Sequence, residues 1–479
     1  MSRRRRLLAT LLDRRSASVY GVATILACGL LGIPQTLPNE ILVAVVFLIV
    51  MYEFQKRLDQ GVPLLQLTAL IASMQWLVGP IVNYNTPYEY GRYQMYIAQA
   101  DYFCYALPAT CCYISVMLAA GASVKQKHLL HQLDRSNFVP IGVSLNVISL
   151  ICMFAAPRFS GGVQFLLFLM TQLRYVGALY LLFSRNELRF LLVAVSLSPL
   201  MIASLNTGMF HDLIIWLAIL FCYWFAQRKW SFATKLVALS ASAFALFSIQ
   251  AIKQEYRSQL RSGSDPSVTS LLSEYVSPGG LAWESDTLTQ VVVRLNQGWI
   301  ISAVMANVPE EEPFAEGETI KDAVISALMP RFLYPDKKMA GGRENFRRFT
   351  GLEILDGTSM GISPLGEAYA NFGELGGILL MAGFGAMFAG LFYLTILYII
   401  RRPAFFFWLP LVFYQSIKAE TEFLVVFNQL TKGAIVAFAM HYFIDLNFPV
   451  RMRSMIQTSR ATLGRRVSMT KGVETRGSW

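Results

Sequence analysis

Charge is the scarcest property of this chain. Of its 479 residues only 15% are Asp, Glu, Lys or Arg, whereas 55% are hydrophobic and the mean hydropathy is +0.46. A soluble globular protein carries about a quarter charged residues, so the composition points to a membrane. Histidine is nearly absent, with four in the chain and none between Lys253 and Gly373, the one long polar stretch. All six cysteines fall in apolar segments, so no disulfide framework is expected in that stretch, and no Cys/His spacing of the zinc type occurs. No structural metal is expected. The phosphate-loop, dinucleotide, HExxH and GxSxG patterns are missing as well, which leaves no nucleotide site and no implied cofactor. An enzyme built from this chain must find its driving energy already stored in the substrate.

What the sequence has instead is apolar runs. Segments able to cross or nearly cross a hydrocarbon core of about 30 Å occur at 18–35, 39–54, 63–84, 98–120, 138–157, 163–184, 188–205, 209–226, 232–252, 374–400, 404–418 and 422–445. They predict an all-α integral membrane protein with about twelve transmembrane helices. Its expected parts are a basic N-terminus (1–17), nine helices (18–252), a large outer loop (253–373), three helices (374–445) and a basic tail (446–479). The first run follows MSRRRRLLATLLDRR and leads into GIPQTLPNE, without a small-residue cleavage site, and is read as an uncleaved helix. Positive charge tests the alternation, because Lys and Arg gather in cytoplasmic loops. With the N-terminus inside, the cytoplasmic segments hold 24 Lys and Arg, while the short outer loops hold only Arg92, Arg158 and Lys418. One missed helix would invert every later loop. Both termini are therefore expected in the cytoplasm. The net charge of +11 reflects this topology and not a nucleic-acid stripe, and the basic tail suits anionic lipid.

The 253–373 segment mixes 11 Lys/Arg with 16 Asp/Glu, so it is no simple lure for polyanions. Apolar residues at helical spacing in DTLTQVVVRLNQGWIISAVMANV, punctuated by PGG and PEEEPF, predict a folded loop. Within it, MPRFLYPDKKMAGGRENFRRF places Arg331, Lys337, Lys338, Arg343, Arg347 and Arg348 in eighteen positions. Guanidinium groups grip phosphoryl oxygens with two parallel hydrogen bonds, so the cluster suits a phosphate or diphosphate; the alternative is a solvated surface of ion pairs. Arg331 stands between two prolines. Glu367, in GISPLGEAYANFGELGG, lies at the outer mouth of the helix expected from 374. It is either an acid–base group or a helix-end acid held by the macrodipole. Tyr369 and Asn371 beside it, and Arg294 in the amphipathic piece, are expected substrate contacts. Arg174 lies within LFLMTQLRYVGALYLLF, where an unpaired charge is costly, so it faces either a structural partner or a phosphate in a wet cavity. His211 and Asp212 sit at the outer end of their helix, and Arg257 continues the next helix outward. They either line the same pocket or make local pairs.

The string PRFLYPDK, then GG with a basic stretch, then SPLGEAYANFGELGG, resembles the Wzy-type O-antigen and oligosaccharide repeat-unit polymerases over residues 290–380. The resemblance implies a fold of the glycosyltransferase C superfamily in a bacterial inner membrane, working on undecaprenyl diphosphate-linked glycans at the periplasmic face. The growing chain would pass from its lipid diphosphate to the next lipid-linked unit. A flippase and a chain-length regulator are the expected protein partners. Related O-antigen ligases use a loop His; here the large loop has none, which leaves His211 or a carboxylate as the base. The implied catalytic set is Glu367, Arg331 and His211, and the implied substrate-binding set is Arg343, Lys337, Arg347, Arg348, Arg294, Arg174, Arg257, Tyr369 and Asn371. A ligase-type transferase and a lipid-linked glycan flippase are the rival functions.

Overall fold

A computed structural model describes residues 12–13, 19–86, 93–120, 123–124, 133, 135–261, 296–329, 334, 338, 342–354 and 360–450. Every one of the twelve apolar runs coincides with a helix. In chain order they are α1 (Val19–Gly32), α2 (Asn39–Arg57), α3 (Leu64–Asn85), α4 (Gln99–Ala120), α5 (Phe138–Ala155), α6 (Gly161–Leu182, broken at Gln172), α7 (Arg189–Thr207), α8 (His211–Phe225) and α9 (Phe232–Arg261). The polar stretch supplies α10 (Gly298–Asn307), α11 (Glu318–Leu328) and α12 (Arg343–Thr350). The chain then returns through α13 (Ser363–Arg401), α14 (Leu409–Ile417) and α15 (Phe423–Asn447). Among the described residues the only strands are a two-residue antiparallel ladder, Leu12–Asp13 with Ser123–Val124.

Seven helices, α3, α4, α5, α6, α7, α13 and α15, are long and apolar enough to cross a membrane. The other apolar helices are shorter, or, like α2, carry several charges near their ends. Large apolar side chains stand exposed on the outer faces, among them Leu48, Ile151, Val195, Leu379 and Ile435. A soluble surface would not tolerate such a band, whereas lipid does. Inside, aromatic residues dominate: Trp76, Trp216, Trp408, Tyr102 and Tyr105 are all fully or almost fully buried. Without a hydrophobic force between helices in lipid, packing relies on close approach at small residues. A Cβ on Gly142 of α5 would stand 3.0 Å from the carbonyl of Gly177 in α6, and one on Gly385 of α13 would meet the Tyr113 carbonyl of α4 at 2.6 Å.

Two interruptions of helical geometry place the polar cap formed by α10 to α12. In α3, residues Met74–Val78 form a π turn, which frees carbonyls from the helical ladder. They are taken up by tertiary donors: Tyr102 Oη donates to the Trp76 carbonyl at 2.9 Å and the Gln297 N–H to the Gln75 carbonyl at 3.0 Å. The second donor anchors the start of α10. In α13, 39 residues span about 58 Å at 1.5 Å each, nearly twice a hydrocarbon core. Gly373, at φ 65° and ψ −157°, breaks the helix, and only the part beyond it matches the crossing segment expected from residue 374. The sequence therefore located the long apolar part but not the nearly three turns before it. Those turns hold Glu367, Tyr369 and Asn371.

Candidate functional site

The first turns of α13 begin at Ser363, whose φ of 64° lies in the left-handed region and whose Oγ accepts from the Leu365 and Gly366 N–H groups. That cap sends Glu367 inward. Its carboxyl is fully buried, and Oε2 accepts the N–H of Phe423 at 2.7 Å. Phe423 is the first residue of α15, so Glu367 caps a neighbouring helix and not its own. Immediately before it stands Glu422, 2% exposed, whose Oε2 accepts from Asn345 Nδ2 at 2.9 Å and which also receives the Gly342 N–H. Both donors belong to the start of α12. Burial pushes the Glu422 carboxyl above the ordinary carboxylate range, against the pull of those two hydrogen bonds and of Lys338. The two buried carboxyls thus form a relay: Glu367 holds the end of α15, and Glu422 holds the end of α12.

Asn371 is committed to architecture. Its Nδ2 donates to Thr319 Oγ1 at 2.8 Å and to the Glu367 carbonyl at 2.7 Å, and its Oδ1 accepts the Gly317 N–H at 2.9 Å. Both amide hydrogens are taken, and the side chain clamps α13 to the start of α11. Tyr369 is buried against Tyr105, with ring centroids 5.0 Å apart, and packs beside Phe314. It too supports the cap from inside.

The cation cluster separates into parts. Arg348 donates from Nε to Glu312 at 2.6 Å and from Nη1 to Glu318 at 2.9 Å, while Lys338 lies within 3.3 Å of Glu318 and 3.1 Å of Asp322. Hydrogen bonding from Arg348, followed by that from Lys338, holds the Glu318 carboxyl below its usual range. Arg347 pairs with Glu353. For these cations the ion-paired alternative describes the arrangement, because the acidic half of the segment folds back on the basic half. Arg343 begins α12, part-exposed and close to the Glu422 anchor. Arg331, Lys337 and Arg294, and the side chain of Arg257, lie outside the described residues.

His211 opens α8, and its Nε2 lies 3.2 Å from Glu420 Oε1, with the two side chains 34% and 35% exposed. Next to it Asp212 accepts from Lys418 Nζ at 2.8 Å. Both partners come from the five-residue connection Lys418–Glu422 between α14 and α15, the same connection that delivers Glu422 to Glu367. Its path is fixed by Trp76 Nε1, which donates to the Ala419 carbonyl at 3.1 Å, and by Gly361, where a Cβ would meet the Glu420 carbonyl at 2.7 Å. His211 and Glu367 thus meet through one short loop. Glu420 and Glu422 were not singled out from the sequence, since no motif marks KAETE and their partners are distant in the chain; their one signal was acidity at an outer helix junction.

Arg174, part-buried, keeps neutral company. Its guanidinium lies 4.9 Å over the Tyr175 ring, donates from Nη2 to Tyr175 Oη at 3.1 Å and from Nη1 toward Met153 Sδ at 3.6 Å. Lys432, the other cation within an apolar run, donates to Asn428 Oδ1 and sits 4.9 Å over the Phe165 ring.

The fold is thus that of a helical membrane protein, one end of which is closed by short polar helices and a junction loop rich in acidic groups. The chain belongs to the family described as a domain of unknown function (DUF8712), whose model matches residues 82–393. No curated protein matches it. No solved structure does so either.

Proposed function

We propose that this protein is a glycan polymerase of the inner membrane, crossing about twelve times with a fold like that of the glycosyltransferase C superfamily, and joining undecaprenyl diphosphate-linked repeat units at the periplasmic face. The resemblance of PRFLYPDK and SPLGEAYANFGELGG to repeat-unit polymerases motivates the class. One structural observation supports it best: the Lys418–Glu422 connection sets an accessible His–carboxylate pair, His211 and Glu420, beside the buried carboxyls that hold the Arg343-bearing helix. In this scheme His211 takes the proton of the acceptor hydroxyl while Glu420 positions the imidazole. The acceptor oxygen bonds to the anomeric carbon as the bond from that carbon to the diphosphate oxygen breaks, and undecaprenyl diphosphate leaves. The leaving group is already a good one, so cations that stabilise its charge, Arg343 and the expected Arg331 and Lys337, serve better than an acid. Glu367, fully enclosed, is a positioning residue.

Purified protein in nanodiscs, given lipid-linked repeat units, should build a ladder. His211→Ala should lower turnover by about 10² to 10⁴, the range for removal of a general base, and an undiminished ladder from a folded variant removes His211 from the reaction. A deletion strain should accumulate single repeat units on carrier. Polymer stranded on carrier would mark a ligase instead, and units retained on the cytoplasmic face a flippase.

A further inference from the structure

The face that α15 turns to lipid is interrupted near the start of the helix. Residues seven apart on a helix lie within about 20° of one another, so Asn428, Ile435 and Tyr442 share one stripe. Ile435 and Tyr442 are 62% and 66% exposed, whereas Asn428 is 5% exposed and donates to Ser326 Oγ of α11 at 3.3 Å. α11 packs along α15 and covers the first turns of that stripe, standing where lipid touches the turns beyond. Its direction is fixed at two levels. At its start, Thr319 is held by Asn371, which also bonds the carbonyl of Glu367, the residue whose carboxyl takes the Phe423 N–H. By Ser326 the helix has reached Asn428. α11 therefore runs in the same sense as α15, away from the rest of the polar cap.

The composition of α11 changes along that path. Its charges, Glu318, Lys321 and Asp322, all fall at its beginning, and the stretch from Ala323 to Met329 holds none. The small residues Ala323, Ser326 and Ala327 are buried, which permits the close approach typical of helices packed in lipid. The exposed face passes from Lys321 to Val324, 38% exposed, and Leu328, 64% exposed, with Met329 next at 48%. Neither α10 nor α12 exposes a large apolar side chain. Depth follows from length. The 25 residues of α15 make about 38 Å, about 8 Å more than a hydrocarbon core. Even with all of that excess on the side of the cap, the core begins about five residues in, at Asn428 and level with Ser326. Leu328 and Met329 lie deeper. The chain then comes back: the Lys338 carbonyl accepts from Ser326 Oγ at 3.4 Å, while Lys338 Nζ reaches toward the start of α11, to Asp322 at 3.1 Å and Glu318 at 3.3 Å. A lysine whose backbone lies at one depth and whose ammonium is drawn toward water is snorkelling.

We propose that α11 is a re-entrant helix: it dips into the bilayer from the side of the polar cap, packs on α15, and presents Val324, Leu328 and Met329 to lipid acyl chains before the chain returns to the same side at α12. This placement is independent of the transferase reading, because it concerns where a helix lies and not what the protein turns over. The full-length protein carrying Leu328→p-benzoylphenylalanine is irradiated in phosphatidylcholine nanodiscs, and its intact mass is read for lipid adducts. The same photoreactive residue at Ile435 and at Lys321 gives the comparison. The expected yield of lipid adduct at Leu328 is close to that at Ile435 and about tenfold above that at Lys321. A yield no higher than at Lys321 overturns the proposal. A cross-linked dimer in place of the lipid adduct gives the face to a second copy of the chain and overturns it as well. Should the variant fail to fold, the wild type decides through Met329. Hydroxyl radicals generated in water turn a wetted thioether into its sulfoxide, so in the nanodisc Met329 should oxidise about tenfold more slowly than in the same peptide cut from the protein. A rate near half that of the free peptide, the value its 48% exposure gives in water, refutes the dip.

Discussion

Glu367 offers the sharpest test of the polar cap, because two substitutions there separate shape from chemistry. Its Oε2 is the acceptor for the first N–H of α15, and the side chain is fully buried. Glu367→Ala strands that N–H, at about 1–3 kcal/mol, and opens a cavity where the carboxyethyl group stood; together these should destabilise the protein by about 2–5 kcal/mol. Glu367→Gln keeps the volume and an oxygen able to accept from Phe423, so its cost should stay within about 1 kcal/mol. Because no part of Glu367 reaches solvent, Gln should also leave polymer synthesis within a few-fold of wild type. Thermal unfolding in nanodiscs, followed by intrinsic fluorescence, reads the first effect, and ladder formation on lipid-linked repeat units reads the second. If Glu367→Gln unfolds like wild type yet loses about 10² to 10⁴ in turnover, the carboxyl takes part in the reaction and the positioning role is wrong. If Glu367→Ala is as stable as wild type, the capping argument itself fails.

Glu422 gives a pH signature. Its carboxyl is pushed up by burial, so the folded state holds its proton more tightly than the unfolded chain does. The stability this contributes is full below the ordinary carboxylate pKa and is lost as pH rises through the raised folded value. The unfolding temperature of wild type should therefore fall across that window relative to Glu422→Gln, and parallel curves would refute the assignment. Topology is checked by reporter fusions: Lys127 and Arg228 should report cytoplasm and Gly317 the outside, and a cytoplasmic signal at Gly317 would invert the whole arrangement.

Helix positions were legible because membrane burial writes them in long apolar runs, and α10 lies within the amphipathic piece that predicted it. The start of α13 was not legible. GISPLGEAYANF has too few large apolar residues to look like a span, and its helicity comes from the Ser363 cap and from burial under α10 and α11. At the site, single residues such as His211 and Glu367 were recognisable by type and place, but what each does depends on Glu420, Phe423 and Thr319, which are remote in sequence. For the cation cluster the ion-paired alternative could not be chosen from sequence for the same reason: Arg348 and Lys338 find the carboxylates of Glu312, Glu318 and Asp322 16 to 36 positions away, and proximity in sequence to other cations says nothing about those partners.

The relay of buried carboxyls also orders the protein's own biogenesis. The segment carrying α10 to α12 leaves the ribosome well before residue 422, yet α12 is tied down by Glu422 and α15 by Glu367. During translation this segment must therefore wait until α15 is made and brings its anchor. Chain completion and closure of the cap are one event. A chain ending before Glu422 would leave α12 unanchored and open to proteolysis, so quality control can act on an unfinished product.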